Sequence, residues 1–199
     1  MKAMPESNAN SDLEPELRGY YDEVLRINHA AEGLLRGLSE AQLLWKPEPK
    51  AWSIAQCLDH LNAASRVELP LVRRAIVDGH TKMLFSRGPF RYGPLGWLLI
   101  KAMGEKARIR FKAPKAYLPA DYAPPVDIIR DFFQLQQELL DCIRDANGLD
   151  LARTKATVLN YKHIRMSLGQ DFKLFIVHAQ RHLLQAQRIK TALQPVVPR

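Results

Sequence analysis

The sequence predicts an all-α protein, a four-helix up-and-down bundle with a long ordered crossover between its second and third helices. Three observations lead there. Four long stretches carry apolar residues three and four apart, the spacing that lays one stripe along a helix. No alternating apolar and polar run competes with them. Helix-start and helix-stop signals bracket the stretches. The chain has 199 residues, 47% hydrophobic and 25% charged, the composition of an ordinary globular protein with length for one sizeable core. Residues 12–193 are expected to form a single domain with flexible tails at 1–11 and 194–199.

The first helix follows from Leu13, Leu17, Tyr20, Val24, Ile27, Ala31, Leu34 and Leu38. The second follows from Ile54, Cys57, Leu61, Ala64, Glu68, Leu71 and Ala75, and the capping-box pattern Ser53-Ile54-Ala55-Gln56 starts it near Ile54. Pro70 lies inside it and is expected to kink it or end its regular part. The connection over roughly 79–124 is long, so part of it should be ordered, with a helix around Leu95 to Ala107. Pro124-Pro125 supplies a first-turn proline for the third helix, carried by Ile128, Phe132, Leu135, Leu139, Cys142 and Ala146 and stopped near Gly148. Ser167-Leu168-Gly169-Gln170 reads as a second capping box. It opens the fourth helix, with Leu168, Phe172, Phe175, Ala179, His182, Ala186, Ile189 and Leu193.

The formal net charge is +8, and its location is informative. Between Gly79 and Pro119 stand Lys82, Arg87, Arg91, Lys101, Lys106, Arg108, Arg110, Lys112 and Lys115 against the single acid Glu105, so this segment carries the whole excess. A local anion-binding or interfacial role fits that better than a nucleic-acid protein basic throughout, and no zinc-finger spacing or aromatic RNA-binding motif is present. The longest apolar run, Leu95 to Ile100, is too short to span a bilayer. No secretory h-region follows the start, and Cys57 and Cys142 read as buried reduced thiols. A cytoplasmic location is therefore expected.

His178 and His182 stand four apart in the fourth helix, so both imidazoles project from one face with Cβ atoms about 5–6 Å apart. Such a pair serves either as a solvated, hydrogen-bonded couple or as half of a metal site. His60, beside Leu61 on the second helix's inward stripe, is the candidate third ligand. If the second and fourth helices run the same way, a modest axial offset brings it level with the pair. Three neutral imidazoles and a water make an open tetrahedral site of the kind zinc uses in catalysis, and nickel, cobalt or iron accept the same donors. His29 reads as partly exposed, His80 as a helix-end cation, and His163 as a loop residue that could line the site mouth.

Trp52-Ser53-Ile54, His60-Leu61, Ser167-Leu168-Gly169 and His178-Ala179-Gln180-Arg181-His182 with Gln185 resemble the DinB/YfiT-like superfamily. Leu38-Ser39-Glu40 through Trp45-Lys46-Pro47 is similar to the turn before that family's second helix. The resemblance covers most of residues 12–193. It implies a four-helix bundle with a long crossover and a divalent metal held by His60, His178 and His182. Zinc or nickel is expected first, with iron, cobalt or manganese as alternatives. Family members include bacillithiol transferases and a mycothiol-dependent maleylpyruvate isomerase, while many others have no known activity.

The expected function is thus a metal-dependent transferase or isomerase using a low-molecular-weight thiol. The alternatives are a metal-dependent hydrolase and a non-catalytic, metal-stabilised interaction module. No G-x-S-x-G nucleophile occurs, and both cysteines lie on packing stripes, which disfavours covalent catalysis by the protein. Gln56 and Gln185 are either polar neighbours of the site or ordinary helix polarity. The basic crossover is either a clamp for an anionic substrate or an interaction surface; Gly93 to Ile100 beside its cations would suit a membrane surface or a homodimer contact. Reversing Arg108 and Arg110 to glutamate separates the two. A clamp predicts weaker substrate binding, most of all at low salt, with metal content unchanged. An interaction surface predicts altered oligomeric state or vesicle binding with small-molecule turnover intact.

Overall fold

The computed structural model describes residues 12–104, 115–120, 123–157 and 165–193. The expected tails, His163, and the stretch with Lys106, Arg108, Arg110 and Lys112 lie outside the described residues. So does the end of the helix expected to reach Ala107. Helices α1 (Pro15–Leu35), α2 (Glu40–Leu44), α3 (Ile54–Thr81) and α4 (Pro94–Met103) come first. A 3-10 turn (Lys115–Tyr117), α5 (Pro125–Asp145), strands β1 (Lys155–Thr157) and β2 (Arg165–Ser167), and α6 (Leu168–Ala192) complete the chain. The described residues are mainly helical, as the apolar periodicity requires.

The helix starts follow their sequence signals unevenly. Ser39 and Ser53 both form full capping boxes, Ser53 Oγ accepting from Gln56 N while Gln56 Oε1 accepts from Ser53 N. Pro125 opens α5, and beyond that helix Gly148 takes φ +82°, a turn conformation open to glycine. The capping box expected at Ser167 does not form. Ser167 Oγ instead accepts from Lys155 Nζ at 3.0 Å, and Gln170 Nε2 donates to Gly93 O at 2.8 Å. The first amides of α6 are satisfied by the preceding chain: Leu168 N donates to Thr154 O and Gly169 N to Leu151 O. That stretch leads directly into the β1–β2 antiparallel ladder, Ala156 opposite Met166, which the sequence pattern did not predict. Pro70 does not end α3, which continues to Thr81 although Pro70 has no N–H for the Arg66 carbonyl.

The four long helices pack around one apolar core that includes Ile54, Leu58, Phe132, Ile143, Phe172 and Ile176, all fully buried. Burying such a side chain contributes about 1.5–3 kcal/mol. Their directions differ from the expected up-and-down order. Asn62 Nδ2 donates to Ile128 O, Arg73 pairs with Glu138 at 2.8 Å, and His80 Nε2 donates to Asp145 O at 2.9 Å, so α3 and α5 run parallel. Lys173 pairs with Glu23 and Lys190 Nζ donates to Leu34 O, so α1 and α6 also run parallel. Glu14 N donates to Asn147 Oδ1, which sets the start of α1 at the end of α5. It follows that α3 and α6 are antiparallel, not codirectional. The cause is the crossover. With 28 residues, α3 is about 42 Å long. An extended return needs only about a dozen residues, far fewer than separate Thr81 from Pro125.

α4 lies on α6 through a close approach at Gly96. A Cβ there would meet Gln170 Oε1 at 2.3 Å, and Gln170 is itself buried. Gly96→Ala is expected to displace Gln170, break its bond to Gly93 O, and cost about 1–2 kcal/mol. A lowered urea midpoint with faster proteolysis near α4 checks this; an unchanged midpoint rejects the proposed close packing.

Candidate metal centre

The capping box at Ser53 fixes where α3 begins, and the first turns of that helix are buried almost all round, from Ile54 through Leu58 to Asn62. His60 therefore faces inward at 4% exposure. His178 and His182, one turn apart on the antiparallel α6, are half-buried opposite it. The three rings converge. Ring centroids are 5.0 Å apart for His60–His178, 4.6 Å for His60–His182 and 4.8 Å for His178–His182. One ligating atom from each lies within 4.8 Å of the others.

The orientation of His60 can be deduced. Its Nδ1 lies 2.6 Å from the Tyr117 carbonyl oxygen, which only accepts, so Nδ1 carries the hydrogen. Its Nε2, left with a lone pair, stands 3.1 Å from His178 Nε2. Nitrogens sharing a tetrahedral zinc would be about 3.3–3.4 Å apart at the usual bond length. The Trp52 ring covers the cluster, 4.8 Å from His60 and 5.7 Å from His182 between centroids. His182 Nδ1 is buried with no hydrogen-bond partner in the protein.

Burial holds all three imidazoles towards their neutral form. Desolvation lowers His60, although the Tyr117 carbonyl and Asp59 oppose it. Desolvation lowers His178 well below the usual histidine range, with the His182 and His60 rings and Arg181 adding to it. Desolvation, His60 and Arg181 bring His182 down to about 3, against a contact with Gln185. Neutral imidazole is the form that ligates a metal. A buried three-nitrogen donor set with an orphaned ring nitrogen fits a divalent zinc, nickel, cobalt or iron ion.

The remaining sequence candidates sort differently. Gln56 is spent on the α3 cap, and Gln185 is half-buried beside His182. His29 is exposed, and His80 donates to Asp145 O at the end of α5, so its cap serves a neighbouring helix. Trp52 stood in the motif without a role, and Tyr117 went unremarked. Tyr117 acts through a backbone carbonyl, which every residue has, so no residue-type signal marks it.

Fold and site together define a helical protein with a buried three-histidine group able to hold a metal ion. The family model for the DinB superfamily matches residues 25–186, and the chain belongs to that superfamily. No curated protein and no solved structure shows significant similarity to it.

The ring shifts predict a pH dependence for chelator-treated protein. Each ring binds a proton less readily folded than unfolded, so unfolding takes up protons once pH falls below about 6.5. The stabilisation is fully present above that pH and is lost as pH falls, the His182 share continuing down to about 3. Urea midpoints should drop between pH 7.5 and 5, and by less in His178→Gln/His182→Gln. Buried Asp171, whose carboxyl is raised by desolvation, adds the opposite slope to both proteins and cancels in the comparison. Equal slopes would contradict the assignment.

Proposed function

We propose that His60, His178 and His182 hold a divalent metal, zinc or nickel first, with a coordination position open to substrate. The protein then acts as a metal-dependent transferase or isomerase that uses a low-molecular-weight thiol. The observation that carries the reading is the grouping of one ring nitrogen from each of three histidines within 4.8 Å of one another, with no cysteine among the described residues of that group. Both cysteines are buried, and desolvation pushes the Cys57 thiol up to about 12, so neither serves as a thiolate. The reacting sulfur therefore comes from a co-substrate.

The residues divide the task. His60, fixed by the Tyr117 carbonyl, directs Nε2 towards the shared point. His178 and His182 supply the opposite side, one helical turn apart. Trp52 packs over two of the rings and excludes water from that side. A metal bound there would act as a Lewis acid and stabilise a thiolate at neutral pH.

Elemental analysis of the purified protein should find about one divalent ion per chain, lost in His60→Ala and His178→Ala. Thiol consumption with electrophilic acceptors should vanish on chelation and return with metal. Ester or amide hydrolysis under the same conditions would replace the thiol reading. Metal without any turnover would leave an interaction module, and wild type and variants with equal metal content would end the reading altogether.

A further inference from the structure

The proposed function uses the Tyr117 carbonyl but leaves three buried side chains unused, those of Tyr117, Glu68 and Asp171. Tyr117 ends the 3-10 turn by which the crossover returns to α3, and its side chain is buried. It touches α3 twice. Its carbonyl accepts from His60 Nδ1 at 2.6 Å, and its hydroxyl donates to Glu68 Oε1, two turns further along the helix. Three residues on, Ala120 N donates to Asp59 Oδ2 at 2.6 Å. Asp171, on the facing α6, is fully buried with Oδ2 unpartnered, and it feels the charge of Glu68.

The pairing has a clear energetic logic. A tyrosine hydroxyl taken out of water needs a partner, and a buried carboxylate needs donors. Tyr117 and Glu68 answer each other, so the turn docks against α3 in one register. In that register the Tyr117 carbonyl stands opposite His60 Nδ1. A ring with Nδ1–H engaged must present Nε2 to His178 and His182. A ring without that bond is free to place its hydrogen on Nε2 and withdraw its lone pair from the shared point.

We propose that Tyr117 is a positioning residue for His60, with Glu68 as its anchor. The side-chain bond between them sets the backbone carbonyl that selects the ligating tautomer. This rests on the three histidines being a metal centre, and it adds residues that touch neither metal nor substrate. Losing a partner that orients a ligand typically weakens metal binding 10–100-fold.

The test uses the full chain with cobalt(II) as probe and nitrogen-detected NMR of the metal-free protein. Tyr117→Phe keeps the ring and the backbone and removes only the hydroxyl. It should bind cobalt about tenfold more weakly, change the visible absorption of the bound ion, and shift His60 towards a mixture of tautomers. Glu68→Ala should do the same, while Glu68→Gln, whose amide oxygen still accepts from Tyr117, should restore most of the affinity and the spectrum. A merely structural role would lower thermal stability without altering spectrum or tautomer. Wild-type tautomer, spectrum and affinity in Tyr117→Phe would overturn the proposal. Wild type that binds no metal would sink the metal reading, and the tautomer would still decide what Tyr117 does.

Discussion

Three imidazoles can be buried side by side only if they stay neutral and their lone pairs are accounted for, and the organisation of this protein follows from that constraint. Desolvation disfavours protonation of every ring, and repulsion from neighbouring rings adds to it at His178 and His182, so no imidazolium balances the cluster. The Tyr117 carbonyl fixes one hydrogen on His60, which leaves Nε2 as a bare acceptor 3.1 Å from His178 Nε2. In the metal-free chain His178 Nε2–H is placed to donate to that acceptor, and a bound cation would take the place of the shared proton. A metal that binds the folded chain at such a site would add to its folding stability.

The helix directions serve the same end. Because α3 and α5 run parallel, the chain must travel back along α3 between them, and the returning strand passes the level of His60. That is where the 3-10 turn docks, through the Tyr117 and Ala120 bonds to α3. An up-and-down connection would be a short turn at the far end and would bring no backbone to His60. The surface pairs that fix the α3–α5 register, such as Arg73 with Glu138, are half exposed and add little stability. Their consequence is alignment.

The three histidines were legible in the sequence because they sit on or beside apolar stripes, a pattern that survives whichever way the helices run. Codirectional second and fourth helices were expected to bring them level; the three rings do meet, but across antiparallel helices. The reason lies in their positions. His60 lies about 9 Å from the start of α3 and His182 about 15 Å from the end of α6. Either direction thus needs only a modest offset. Ser53 was legible as a cap because nothing competes for its hydroxyl, whereas Ser167 lost that role to Lys155 across a ladder of three residues per strand. Strands that short carry no readable alternation. Tyr117 was invisible for a deeper reason, since its contact with His60 is made by the main chain.

The basic crossover and the turn that holds His60 are one piece of chain, which links two features that the sequence presents separately. Lys82, Arg91, Lys101 and Lys115 are exposed, and Arg87 reaches Glu14 at 3.5 Å. Among the described residues these cations stand in solvent and the histidines do not. Yet Lys115 opens the very turn whose last residue orients His60. The exposed cation at the start of the turn and the carbonyl at its end are thus two residues apart in one 3-10 turn, the first facing solvent and the second facing His60.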